Sequence, residues 1–537
     1  MPKPRRGRPP RMPDDVTPMA EGYYDPWART AWLLVTARSL GSDPAYADRA
    51  TFVDALVDSG VNADASRVSR WESGQQAVSF RALRGYETVL GLSEGALVAA
   101  NRQLVRDCET SAKPPEKISF AGLDHLSPDT MVSDLVDRAT DKDDHLTGGD
   151  WLRLATELER FELVLLSNRT WSLVCERLLH ELARTSGVDQ LRRFEALSTL
   201  VTHPVAQRHV LHALGVWLTD PDVQVVFPML TVLQQLEDPG ASNLVCRLMD
   251  APSGQLARGA IQVAAAKLAR GHVGRAHLAL IEQHAIRGLV TPTSKRSADL
   301  LDLLTHLPDE SFARVTGNLK DSPLRTRILQ TRETHDLAVR DVSRSISRQV
   351  STQAQAMTPA VYRSEPDQLL DRLVRESLFH VSGNRRRLAG QVLGISPYAP
   401  AVADCFLSLA GSDRELLGDR AWDAVWTIGH GTRRDDVVAL VDTDHPWTQR
   451  RALISLARSG AGLREEHQGV VRRAMDSANS AVRRAALAAT GLQAPHHLPT
   501  PLETQSSPDA SVVRWWRKVG PALRDLDGRF DLEPLAD

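Results

Sequence analysis

At 537 residues and 59.1 kDa the chain is too long for one hydrophobic core, so several domains or a repeat array are expected. Hydrophobic residues make up 42%, charged residues 25% and aromatics only 5%, a mixture led by Leu, Ala and Val that favours helix, since strands draw on β-branched and aromatic side chains. The net charge of −2 excludes a uniformly basic or acidic chain. No apolar run approaches the ~18–20 residues of a membrane span, and the basic N-terminus runs into acids rather than an apolar stretch, so a cytosolic protein is expected. Cys108, Cys175, Cys246 and Cys405 lie far apart with no His at ligand spacing, which predicts buried free thiols and no structural metal. Of 65 basic residues only eight are Lys, and this bias with abundant Ala suggests a GC-rich bacterial genome.

Residues 1–26 are proline-rich and lack helical periodicity, and are expected to form a disordered arm. The arm opens with five cationic residues in eleven, Lys3-Pro4-Arg5-Arg6-Gly7-Arg8-Pro9-Pro10-Arg11. The core Arg6-Gly7-Arg8-Pro9 resembles an AT-hook. In such a segment Gly lets the backbone approach the floor of a narrow minor groove, whose negative potential attracts the flanking arginines. Proline keeps the segment extended.

Residues 27–110 read as a compact helical domain. Thr51–Ser59 is a short amphipathic stretch and Gly60-Val61-Asn62 is turn chemistry. Asp64 is placed to cap a following helix that stops at Ser73-Gly74. A further helix, Phe80–Leu90, ends at Gly91. Two short helices joined by a Gly-containing turn are what major-groove reading requires. The stretch resembles the phage-repressor (Cro/Xre-like) helix-turn-helix family through Val68-Ser69-Arg70-Trp71-Glu72-Ser73-Gly74, Val78-Ser79-Phe80-Arg81-Ala82-Leu83 and Tyr86-Glu87-Thr88-Val89-Leu90-Gly91-Leu92. The resemblance implies that the helix after Asp64 is the recognition helix. It sets Ala65, Ser66, Arg67 and Arg70 toward base edges or phosphates, Gln75 and Gln76 near the backbone, and Val68, Trp71, Leu83, Val89 and Leu90 in the core. Phe52 stands where the family usually has a polar residue, the turn is one residue longer, and Gly41–Arg49 is an unusual insert. With nine Arg/Lys and ten Asp/Glu the domain lacks a strong electrostatic footprint of its own.

Residues 111–149 read as a linker with a short helix over 128–138. From 150 to 492 amphipathic stretches follow one another with short turns, and helix pairs recur. Arg387, Arg420, Arg451 and Arg484 repeat at spacings of 33, 31 and 33. This period indicates an α-solenoid, and the pattern around His445-Pro446-Trp447 and Asn479–Gly491 resembles HEAT-type repeats. Residues 493–537 read as a loop and a capping helix carrying Trp515-Trp516. The arginine pairs of this region are read as ion-pairing partners of neighbouring acids. His496-His497 and Asp143-Asp144-His145 are read as solvated loops rather than metal ligands.

The sequence therefore predicts an all-α protein, a small helix-turn-helix domain followed by an α-solenoid of HEAT-like repeats. The expected function is sequence-specific transcriptional regulation, with double-stranded DNA as partner, a nucleoid-associated location, and a homodimer matched to two-fold-symmetric operators. The solenoid's concave face is expected to remain open to a protein partner or to self-assembly. No cofactor, metal or catalytic set is expected. Two alternatives stand beside it. One is a non-catalytic interaction scaffold with the helix-turn-helix as a docking module, and the other is a HEAT-like DNA-repair glycosylase.

Overall fold

The computed structural model describes residues 12–21, 23–108, 117–120, 127–162, 164–251, 254–290, 294–317, 319, 322–359, 366–412, 414–430, 432–458, 463–500 and 508–525. Among these residues every extended element is helical, apart from a single β-bridge between Asp336 and His380. No described helix is long and apolar enough to cross a membrane.

Five helices form the N-terminal module: α1 (Pro26–Leu40), α2 (Arg49–Asp58), α3 (Ala65–Glu72), α4 (Phe80–Leu90) and α5 (Ala96–Asp107). Asp25 caps α1 by accepting from the backbone N–H groups of Trp27 and Ala28, with Pro26 at the first helical position. Residues 28–38 of α1 are buried all round, as expected of a helix enclosed on every side rather than one lying on a surface. The Gly41–Arg49 insert contains a 3₁₀ turn, Pro44–Ala47.

The remaining helices stack on one another, many packing on the next helix or on the next but one. In the C-terminal half one packed row runs Gln368–Phe379, Gly383–Gly394, Glu415–Ile428, Pro446–Ala457 and Ser480–Gln493. The periodic arginines fall on these helices, and all but Arg420 bind an acid outside their own helix. Arg451 pairs with Asp419 and Asp423, Arg420 with Asp423, Arg484 with Asp509, and Arg387 with Asp107. Each repeat leaves an apolar face that only the next repeat can cover, which gives the array its continuous core.

The array curls until its parts meet. Gly383–Gly394 touches Gly187–Thr202, Gly254–Ala269 and α5. At the C-terminus, Ala510–Val519 packs on Ser480–Gln493, while Trp515 meets Trp217 edge-on at 5.5 Å. Asp525 accepts from the Gly148 N–H at 2.6 Å and from Arg192 and Arg193 at 2.6 and 2.9 Å. The helix expected to cap one end of the array thus joins its last described turn to its first. Where these parts meet, α5 packs against both Gly187–Thr202 and Gly383–Gly394.

Residues 12–25 also depart from the expected disordered arm. Met12 packs against the core, Asp15 and Tyr24 are buried, and Tyr24 donates to the Leu104 carbonyl at 2.6 Å. The reason is electrostatic. Asp15 pairs with buried Arg29 at 2.9 Å, and without it that guanidinium would share the Glu376 carboxylate alone. The basic residues Arg6, Gly7, Arg8 and Pro9 lie outside the described residues. Cys108, Cys175 and Cys405 are buried free thiols, and Cys246 is a half-buried one.

Candidate nucleic-acid interface

Two short helices, α2 and α3, are joined by a turn through residues 59–64. Gly60 and Gly74 hold positive φ of 85° and 73°, at the ends of α2 and α3 respectively. The Asp64 carboxylate accepts from the Arg67 backbone N–H at 2.8 Å, and chiefly that bond holds its pKa below the usual value. Ser79 caps α4, and Gly91, at φ 64°, closes it in the left-handed conformation.

Val68 and Trp71 enter the core with Phe52, Leu56, Leu83 and Tyr86. Val89 and Leu90, expected in the core, are only partly buried. Phe52 is fully buried, packed at 5.6 Å from Tyr46 and 4.8 Å from Tyr86. The apolar residue at that position thus serves the core that anchors the insert.

On the opposite side of α3, Ala65 and Ser66 are exposed and Arg67 and Arg70 half-exposed; Gln75 and Gln76 are exposed in the following loop. Arg67 donates to the Asn62 carbonyl at 2.6 Å. Arg70 donates to the Ser66 hydroxyl at 2.6 Å and to the Gln76 side-chain oxygen at 3.1 Å. These acceptors are neutral, so neither guanidinium is neutralised by a direct ion pair among the described residues. Of the six side chains, Ser66, Arg70 and Gln76 are joined to one another by these hydrogen bonds. Exposed Asp54, Asp58 and Asp64 on the same module temper its positive potential.

Sequence reasoning missed what holds this surface in place. Glu72, the last residue of α3, takes a buried bidentate pair from Arg38 of α1 at 2.5 and 2.9 Å, and the Tyr86 hydroxyl donates to it at 3.1 Å. Arg38 also donates to the Tyr46 and Ala47 carbonyls, which fixes the insert. α1 is then fastened to the repeats. Arg29 forms a bidentate pair with Glu376 at 2.7 and 2.8 Å, and the Trp32 indole donates to Asp367 at 2.8 Å. Burial disfavours charge on Glu376, but Arg29, Arg385 and Arg372 outweigh it and hold its carboxyl well below the ordinary range. At α5, Arg102 and Arg106 share Glu195, at 2.9 and 2.7 Å. Asp107 receives Arg270 at 2.8 Å and Arg387 at 3.1 Å. The boundary drawn near residue 110 therefore marks no break in packing, and one core runs through module and repeats.

Two arginines on an otherwise apolar α1 were the available signal, because a charge on an all-round buried helix demands a buried counter-charge. Among the described residues no group of His, Cys, Asp or Glu is placed to hold a metal. No family model and no curated protein matches the chain. A solved structure from work on tubulin recruitment and assembly by microtubule polymerases with TOG-domain arrays aligns with 72% of this chain and 100% of its own. Its identity is 10% and its TM-score 0.22, below what a shared fold requires.

Proposed function

We propose that this protein is a DNA-binding regulator whose helix-turn-helix is mounted rigidly on a closed helical-repeat body. The observation that carries the reading is the outward face of α3. It presents Ala65, Ser66, Arg67 and Arg70 beside Gln75 and Gln76, with two guanidiniums held by neutral acceptors. Short polar side chains and arginines at the start of such a helix suit base edges and phosphates in the major groove. The Arg38–Glu72 pair supports it by fixing the helix relative to α1 before any ligand binds, so little ordering cost is left for the complex. Arg6 and Arg8 would extend the contact into an adjacent minor groove, a cytosolic, nucleoid-associated location would follow, and a two-fold operator would require a homodimer. The reading assigns no catalytic step.

Selection of duplexes from a random pool by the full chain, followed by titration at two salt concentrations, tests this. Arg67→Ala should relax specificity and cost about 1–3 kcal/mol on the selected site. Absence of duplex binding at low salt would overturn the reading. A second reading, a protein-interaction scaffold with the module as a docking surface, is favoured by Trp27 and Val57, apolar side chains left 42% and 50% exposed on the module. Pull-downs with and without nuclease separate the two, because partners bridged by DNA disappear on digestion.

A further inference from the structure

Many arginines of the repeat region pair with carboxylates, whereas on one helix three stand together without such a pair among the described residues. Arg340–Met357 buries Ser343, Ser347, Val350, Ser351 and Ala354, and Arg340, Arg344 and Arg348, all exposed, run along one edge of that stripe with exposed Asp341 three residues before Arg344. The spacing of four places the three on one face, about 6 Å apart along the axis. After Asp341 the sequence has no acid until Glu365. Among the described residues none of the three arginines is within ion-pair distance of a carboxylate. The nearest acid behind them, Asp336, is engaged by Arg375 and the Ser343 hydroxyl.

The surroundings indicate what this row suits. Ser345, Gln349, Thr352 and Gln353 beside it are exposed, neutral and able to donate hydrogen bonds. Such side chains accompany arginine in phosphate contacts, whereas a membrane-surface helix sets a continuous apolar face against its cations. The row spans about 12 Å, which covers three to four phosphates of a strand charged every ~3.4 Å of duplex axis. Its mounting is tied to the recognition module. Arg375 of Gln368–Phe379 donates to Ser343 on this helix, and the next residue, Glu376, holds Arg29 of α1. α1 in turn packs on α3.

We propose that Arg340, Arg344 and Arg348 form a second, sequence-independent contact to the phosphate backbone of the duplex that α3 reads. The proposal rests on the DNA-binding reading above and adds the surface by which the repeat body takes part in it. Positive charge on this row releases counterions when it meets phosphates, and it affects every sequence alike.

The test uses the full chain with Arg344→Gln and Arg348→Gln combined, both exposed positions whose change leaves the core intact. On a 30-base-pair duplex carrying the selected site, the plot of log affinity against log salt should become shallower by about 2, near 0.9 for each lost phosphate. Specific and random duplexes should weaken by the same factor, roughly tenfold at moderate salt. A wild-type slope for the variant on the selected-site duplex, with Arg67→Ala still impaired, would overturn the proposal and leave the recognition reading standing. Normal binding by Arg67→Ala with loss in the arginine variant would instead sink the recognition reading and keep the row as a nucleic-acid contact. Binding to anionic lipid vesicles that depends on Arg344 and Arg348, without any duplex binding, would overturn both.

Discussion

Replacing Glu376 by Gln tests how the module is held. Glu376 receives Arg29 at 2.7 and 2.8 Å, Arg372 at 2.9 Å and Arg385 at 3.0 and 3.2 Å, and its side chain is fully buried. The variant leaves Arg29 and Arg372 with Asp15 and takes from Arg385 the carboxylate it pairs with, and breaking a buried pair from one side costs about 3–5 kcal/mol. With unfolding entropy of ~2.1 cal/mol/K per residue, 537 residues acting as one unit give about 1.1 kcal/mol/K. Calorimetry should then show one transition lowered by about 3–5 °C. A module of roughly 80 residues melting by itself would instead shift an early transition by about 20 °C. Because the folded pKa of Glu376 is depressed, its stabilisation is complete above the ordinary carboxylate range and is lost as pH falls through the folded value. The gap between wild type and variant should accordingly be constant from about pH 6 to 8 and close below about pH 4. An unmoved transition in the variant, or a separate N-terminal transition in the wild type, would refute the argument that the module is part of one core.

Burial pushes the pKa of His430 down to about 4, and its ring nitrogen lies 2.9 Å from the Ser455 hydroxyl. The neutral ring supports stability that is present above about pH 6.5 and lost as pH falls toward 4. His430→Gln should therefore lose up to about 3 kcal/mol less than wild type between pH 7 and 4 in urea titrations; equal acid limbs would count against it. Asp525→Asn removes the charge facing Arg192 and Arg193 at the junction of first and last turns. It should cost about 3 kcal/mol and make residues 508–525 the first site of limited proteolysis, and unchanged protection there would argue against a seam held by that carboxylate.

Local chemistry made the helices legible. Asp64 before α3, the glycines at 60, 74 and 91, and the apolar spacing of Val68, Trp71 and Leu83 act within a few residues, so these short helices could be drawn from the sequence, Phe80–Leu90 with both ends matching. The period near 33 likewise reported the repeats, because every repeat must offer a small, apolar face to the next. Arg67, Arg70 and their neighbours were assigned to the outer side of α3 by the family resemblance rather than by local pattern, and they are exposed or half-exposed there. Tertiary structure alone decided the pairing of distant charges and the closure of the chain. Arg29 and Glu376 are 347 residues apart, and Gly148 and Asp525 are 377. The identity of an arginine says that a buried guanidinium needs a carboxylate, and among 67 acidic residues it does not say which. Only the curl of the array, accumulated from small rotations between successive helix pairs, brings the chosen partner within hydrogen-bond reach.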